Sequence, residues 1–153
     1  MAVVLVVDDD PAVRALVRDV LETELSVRVR EARDGYEAIL WLREERPDLV
    51  LLDLRMPRID GWGVLCWLKS SARTAAIPVV VLTALEPAAA LRGVGRGPDG
   101  VLAKPFDLDA LAGTVAAGLG TRMPGRRPAV APSGRRPVPR RRGRSRVVRG
   151  SGA

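Results

Sequence analysis

Short β-branched or leucine-rich runs recur along the first 120 residues, at Val3–Val7, Val27–Glu31, Leu49–Leu52, Val79–Leu82 and Val101–Ala103. Compact runs of this kind read as strands buried on both faces. Between them the apolar spacing changes to steps of three and four. Val13, Leu16, Val17, Val20 and Leu21 share one face of a first helix, with Asp10 as N-cap and Pro11 at the favoured first position. A second helix opens at Asp34 with Glu37 three residues later, in the style of a capping box. A third, capped by Asp60, is expected from about Gly61 to Ser70, and a last one carries Leu108, Leu111, Val115 and Leu119. The signal is poor between Glu86 and Pro98, where Gly93, Gly95 and Gly97 alternate. Each internal glycine costs a helix about 1 kcal/mol relative to alanine. A short helix near Pro87–Arg92 and then a loose loop are expected there.

Strand–helix alternation repeated five times predicts an α/β fold, a parallel sheet with helices on both faces. Right-handed crossovers bring every strand's C-terminal end to one edge, and ligands of such open sheets bind at that edge. Asp8 and Asp9 follow the first strand, Asp53 the third, Thr83 the fourth and Lys104-Pro105 the fifth. Three carboxylates gathered there repel one another, and a hard divalent cation relieves the repulsion. Magnesium suits one or two carboxylates, retained waters and a phosphate oxygen; calcium usually takes more protein oxygens. The Thr83 hydroxyl is placed to donate to a phosphoryl oxygen. Lys69 and Lys104 are the only lysines among 25 basic residues, so a lysine at this edge points to a compact positive charge.

Composition divides the chain in two. Residues 121–153 hold eleven arginines and no acidic residue, whereas residues 1–120 carry 14 basic and 18 acidic side chains, a net of −4. The body is mildly acidic and the tail strongly basic. The tail of Arg, Pro, Gly, Ser, Val and Ala lacks periodicity and is expected to be disordered. The chain therefore divides into one folded domain over 1–120 and a basic tail over 121–153. There is no histidine, which excludes histidine acid–base chemistry, histidine metal ligands and a phosphohistidine on this chain. Cys66 is the only cysteine, so no intrachain disulfide forms and a reducing, cytoplasmic setting is expected. No apolar run approaches the roughly 18 to 20 residues of a membrane helix, and no secretory leader is expected.

The segments VLVVDDDPAVR, ARDGYEAI, PDLVLLDLRMPRIDG, IPVVVLTA and GVLAKPF stand in the order found in response regulator receiver domains, and residues 1–120 resemble that family. The resemblance implies a flavodoxin-like five-stranded sheet in the order 2-1-3-4-5, an order for which a chemotaxis member of this family is a standard example. It implies that Asp53 is the phosphoacceptor in a two-component phosphorelay. Asp9, Asp53 and the backbone carbonyl of Arg55 would hold Mg2+ (or Mn2+), with Asp8 acting through water. Thr83 and Lys104 would bind the phosphoryl group, and the bond before Pro105 would be cis. The donor would be a sensor histidine kinase or phosphotransfer protein. The chain would be no enzyme beyond its own phosphorylation and dephosphorylation, and it would signal through a protein partner that the sequence does not identify. A carboxylate nucleophile is already ionised and needs no general base, which suits a chain without histidine. Positioning and charge neutralisation carry most of such catalysis.

Two departures bear on output. Val101 stands three positions before Lys104, where the family usually has an aromatic switch residue, and glycines erode the helical segment between the last two strands. They motivate an alternative in which the fold serves as a phosphorylation-independent interaction module. The tail motivates another, a nucleic-acid-binding regulator, because clustered arginines bind phosphate backbones non-specifically. It carries no helix-turn-helix pattern, zinc spacing or aromatic interleaving. Trp41, Trp62, Trp67 and Cys66 read as packing residues of the second and third helices, with Trp62 close enough to the predicted site to contact a partner.

Overall fold

A computed structural model of the chain describes residues 1–84 and 97–120. The short helix expected near Pro87–Arg92 and the basic tail over 121–153 lie outside the described residues. The chain runs β1 (Val3–Val7), α1 (Pro11–Leu25), β2 (Arg28–Ala32), α2 (Gly35–Glu44), β3 (Leu49–Asp53), α3 (Gly61–Lys69), β4 (Val79–Thr83), β5 (Gly100–Ala103) and α4 (Leu108–Gly120). All strand pairs are parallel, and the sheet order is β2-β1-β3-β4-β5, as the family resemblance implies.

The central strands are buried on both faces, so alternate residues feed two cores. Leu5, Val7, Val50, Leu52, Val79 and Val81 pack with Ala38, Leu42, Val64, Leu65 and Leu68 of α2 and α3. Val4, Val6, Leu49, Leu51, Val80 and Leu82 pack on the other face with Val17 and Leu21 of α1 and Leu111 and Val115 of α4. Burying one such aliphatic side chain contributes about 1.5–3 kcal/mol. These two layers fix the height and register of every strand end.

The caps follow the sequence reading. Asp10 accepts from the Ala12 N–H, Asp34 from the Glu37 N–H and Asp60 from the Gly63 N–H, satisfying otherwise open donors in each first turn. Ser26 closes α1 in the left-handed region, at φ 52°.

Three details differ from the pattern reading. Strand β2 is displaced by one residue, because the Arg28 N–H pairs with the Ala2 carbonyl and the Asp8 N–H with that of Ala32. Asp53 and Thr83 are the last residues of their strands rather than the first beyond them. The ladder continues through the Leu54 N–H to Leu82 O and the Lys104 N–H to Thr83 O, since pairing is a backbone property that outlasts the apolar side chains. Leu16 and Leu108 keep 45% and 40% of their surface, because the buried lines of α1 and α4 run through Val17, Leu21, Leu111 and Val115. No helix among the described residues is long and apolar enough to cross a membrane.

Candidate functional site

Parallel strands deliver the site from four directions. Asp8 and Asp9 sit just past β1, Asp53 and Thr83 end β3 and β4, and Lys104 follows β5. Carboxylate oxygens of Asp8, Asp9 and Asp53 lie within 4.8 Å of one another. Asp8, Asp53 and Thr83 are buried and Asp9 is exposed, so the cluster opens to solvent on the Asp9 side.

Two of the three carboxylates, those of Asp8 and Asp53, are held by the backbone and by a cation. Asp8 Oδ1 accepts from the Asp10 N–H at 2.9 Å, and its Oδ2 from Lys104 Nζ at 2.8 Å. The same Nζ lies 3.4 Å from Asp53 Oδ2, so one ammonium bridges two acids. Asp53 Oδ1 accepts from the Arg55 N–H at 3.1 Å. Arg14 on α1 donates to the Asp8 carbonyl at 2.7 Å and pairs with Glu31 of β2 at 3.3 Å. The Lys104–Pro105 bond is cis. Asp60 and Gly61 close the loop after β3, where the Gly61 N–H donates to the Leu54 carbonyl at 3.1 Å and Arg58 adopts φ 68°.

Sequence reasoning missed three features. Arg14 stands six positions after Asp8, but nothing in the sequence shows that its guanidinium braces the β1 terminus. Asp107, whose side chain accepts from the Asp109 N–H at 3.1 Å, resembles Asp10, Asp34 and Asp60 in preceding a helix, and that signal was available. A cleft of about 450 Å³ beside the carboxylates is lined by Asp9, Leu54, Arg55, Met56, Pro57, Asp60 and Trp62. Trp62 and Trp67 are half-buried against the α2–α3 core, and Cys66 is exposed. Arg55 thus borders the same space as Asp9.

Burial raises the Asp53 carboxyl above its ordinary 3.8. The Arg55 N–H opposes the rise, Asp8 adds to it, and Lys104 opposes it. For Lys104, burial acts downward, but the hydrogen bond and charge of Asp8, with those of Asp53, outweigh it and leave the ammonium above 10.5. The folded state therefore binds extra protons at Asp53 in the window just above 3.8, and this group's contribution to stability falls as pH rises through that window. Lys104 contributes stability below 10.5 that is lost as pH rises through its raised value. In chelator, Asp53→Asn is expected to be more stable than the parent at pH 7 by roughly 0.5–2 kcal/mol, with the difference shrinking toward pH 3. Urea midpoints across pH measure this, and a variant less stable at pH 7 contradicts it.

An all-oxygen cluster of three carboxylates balanced by one ammonium retains net negative charge, which fits a hard divalent ion rather than a thiolate- or imidazole-seeking metal.

Comparison with known proteins agrees with the geometry. Residues 4–116 match the family model described as the response regulator receiver domain. The chain is 39% identical over 115 residues to the DNA-binding dual master transcriptional regulator RpaA of a Synechocystis strain, an alignment covering 74% of this chain and 47% of that protein. The chain thus spans about half the length of the curated relatives it matches. Among solved structures, chemotaxis protein CheY4 of Vibrio cholerae superposes with a TM-score of 0.69 at 30% identity, over 76% of this chain and 97% of that one. The Mn(2+)-bound form of response regulator Rcp1 gives 0.71 at 29% identity, over 80% and 98%. With the sheet order, the acidic cluster and these matches in agreement, the chain belongs to the response regulator receiver family of two-component signal transduction.

Proposed function

We propose that residues 1–120 accept a phosphoryl group on Asp53 from a phosphohistidine of a sensor histidine kinase or phosphotransfer protein in the cytoplasm, and that the phosphorylated domain signals by binding a protein partner. The observation that carries this reading is the Asp53 carboxylate at a strand end, with the Lys104 ammonium 3.4 Å away and two further acids beside it. Asp9, Asp53 and the Arg55 carbonyl would hold magnesium or manganese, with Asp8 acting through water. The ion supplies charge neutralisation for the phosphoryl oxygens.

The chain's own groups do the rest. The Arg55 N–H holds one Asp53 oxygen, which orients the other for attack along the line to phosphorus. As the new O–P bond forms, the donor's N–P bond breaks and its electron pair returns to the imidazole nitrogen. Lys104 supplies a fixed positive charge to a phosphoryl oxygen, and Thr83 a hydroxyl at the neighbouring strand end. Asp8, held by the Asp10 N–H, keeps Lys104 in place.

Incubation with magnesium and acetyl phosphate is expected to give an acid-stable, base-labile adduct of one phosphoryl group on Asp53, read by intact mass and peptide mapping. Asp53→Ala should give none. Equal labelling of the variant, or none of the parent, overturns the reading.

A further inference from the structure

The cleft beside Asp9 is larger and more apolar than a metal ion requires. An octahedral ion with six water-sized oxygen ligands occupies roughly 200 Å³, whereas the cleft measures about 450 Å³. Its lining combines Asp9, Arg55 and Asp60 with Leu54, Met56, Pro57 and the half-buried Trp62. A hydrated cation gains nothing from the apolar members. A flat, partly apolar ring does, through area removed from water and stacking on the indole.

We propose that Trp62 is a donor-positioning residue, its indole forming a platform for the imidazole ring that carries the incoming phosphoryl group. This rests on Asp53 being the phosphoacceptor and adds to that reading a specificity for donors bearing a heteroaromatic ring. The occupant follows from continuity with the site, because the cleft adjoins the acceptor through Leu54 and Arg55, the two residues after Asp53. The chain has no histidine of its own, so the ring must arrive with the donor. Asp60 caps α3 at the Gly63 N–H, and this fixes the first turn on which Trp62 stands. The loop from Met56 to Asp60 thereby becomes one wall of the donor's seat.

Two small donors separate this role from packing. Phosphoimidazole carries the ring and acetyl phosphate does not. In the full chain with magnesium, Trp62→Leu keeps apolar bulk and removes the indole. It is expected to raise the half-saturating concentration of phosphoimidazole roughly three- to tenfold while leaving that of acetyl phosphate within twofold. Trp62→Phe is expected to recover most of the loss. Equal losses with both donors, or no loss with either, overturn the proposal and leave the Asp53 reading standing. Failure of the parent to be labelled by either donor removes the Asp53 reading and the proposal with it.

Discussion

Lys104→Ala is expected to slow phosphorylation of Asp53 by about 10²–10³-fold and to lower stability in chelator by about 2–3 kcal/mol. Both effects have one source. The Asp8 carboxyl is fully buried and, among the described residues, pairs with Lys104 Nζ at 2.8 Å; the ammonium also reaches Asp53 at 3.4 Å. Truncation leaves the Asp8 carboxylate with the Asp10 N–H and, among the described residues, no ion-pair partner, inside a cluster of three acids. Breaking such a pair costs more than the pair contributes, because the remaining charge stays desolvated. The loss is below that of a fully enclosed pair because the lysine side chain is 23% exposed. Millimolar magnesium should restore part of the stability by neutralising the acids, yet not the rate, since a phosphoryl oxygen still lacks its ammonium. Lys104→Arg should not rescue the rate, because the broader guanidinium cannot sit between two carboxylates as a point charge does. Urea unfolding with and without magnesium, together with labelling kinetics, tests each part. An unchanged midpoint in chelator would contradict the first.

Gly61→Ala is expected to destabilise the chain by about 2–4 kcal/mol and to impair labelling of Asp53 beyond what unfolding explains. A Cβ at Gly61 would overlap the carbonyl oxygen of Asp53 and stand 2.6 Å from Leu54 Cα and 2.9 Å from the Asp53 carbonyl carbon. All three are backbone atoms, so no side chain can swing aside. Relief requires α3 to move away from the β3 terminus, which carries the acceptor with it, and a displacement of about 1 Å in reacting groups can cost 10² in rate. Gly113→Ala is the internal control. Its Cβ meets nothing within 4 Å, so the same change within α4 should add roughly 0.5–1 kcal/mol through helix propensity. Thermal or urea unfolding of the two variants should give opposite signs.

The architecture was legible because each central strand is a continuous apolar run and each of the first three helices begins at a capping aspartate, so pattern and local chemistry agree. The site was legible for a related reason. A parallel sheet converts the residues that end or follow β1, β3, β4 and β5 into neighbours, so the sequence alone groups Asp8, Asp9, Asp53, Thr83 and Lys104. What escaped the sequence was whatever depends on distance. Lys104 lies nearer Asp8 than Asp53, a difference that no sequence pattern encodes. The close approach of Gly61 to the β3 backbone leaves no trace beyond a glycine after an aspartate. The exposure of Leu16 depends on how α1 is rotated about its axis, which a five-residue apolar face leaves loosely fixed.

The ion pair between Asp8 and Lys104 spans 96 positions of sequence. At about 5–20 residues per second, a ribosome releases the first aspartates roughly five to twenty seconds before the lysine that neutralises them. In the last part of that interval, after Thr83 and before Lys104, a nascent chain can gather β1, β3 and β4, with the apolar β4 as an uncovered edge and the acids without their ammonium. Arrival of β5 covers that edge and delivers the ammonium in the same event. Pauses that delay the emergence of residue 104 from the ribosome after β4 has emerged therefore expose the chain to misassembly most, and slower elongation at that stage should lower the soluble yield.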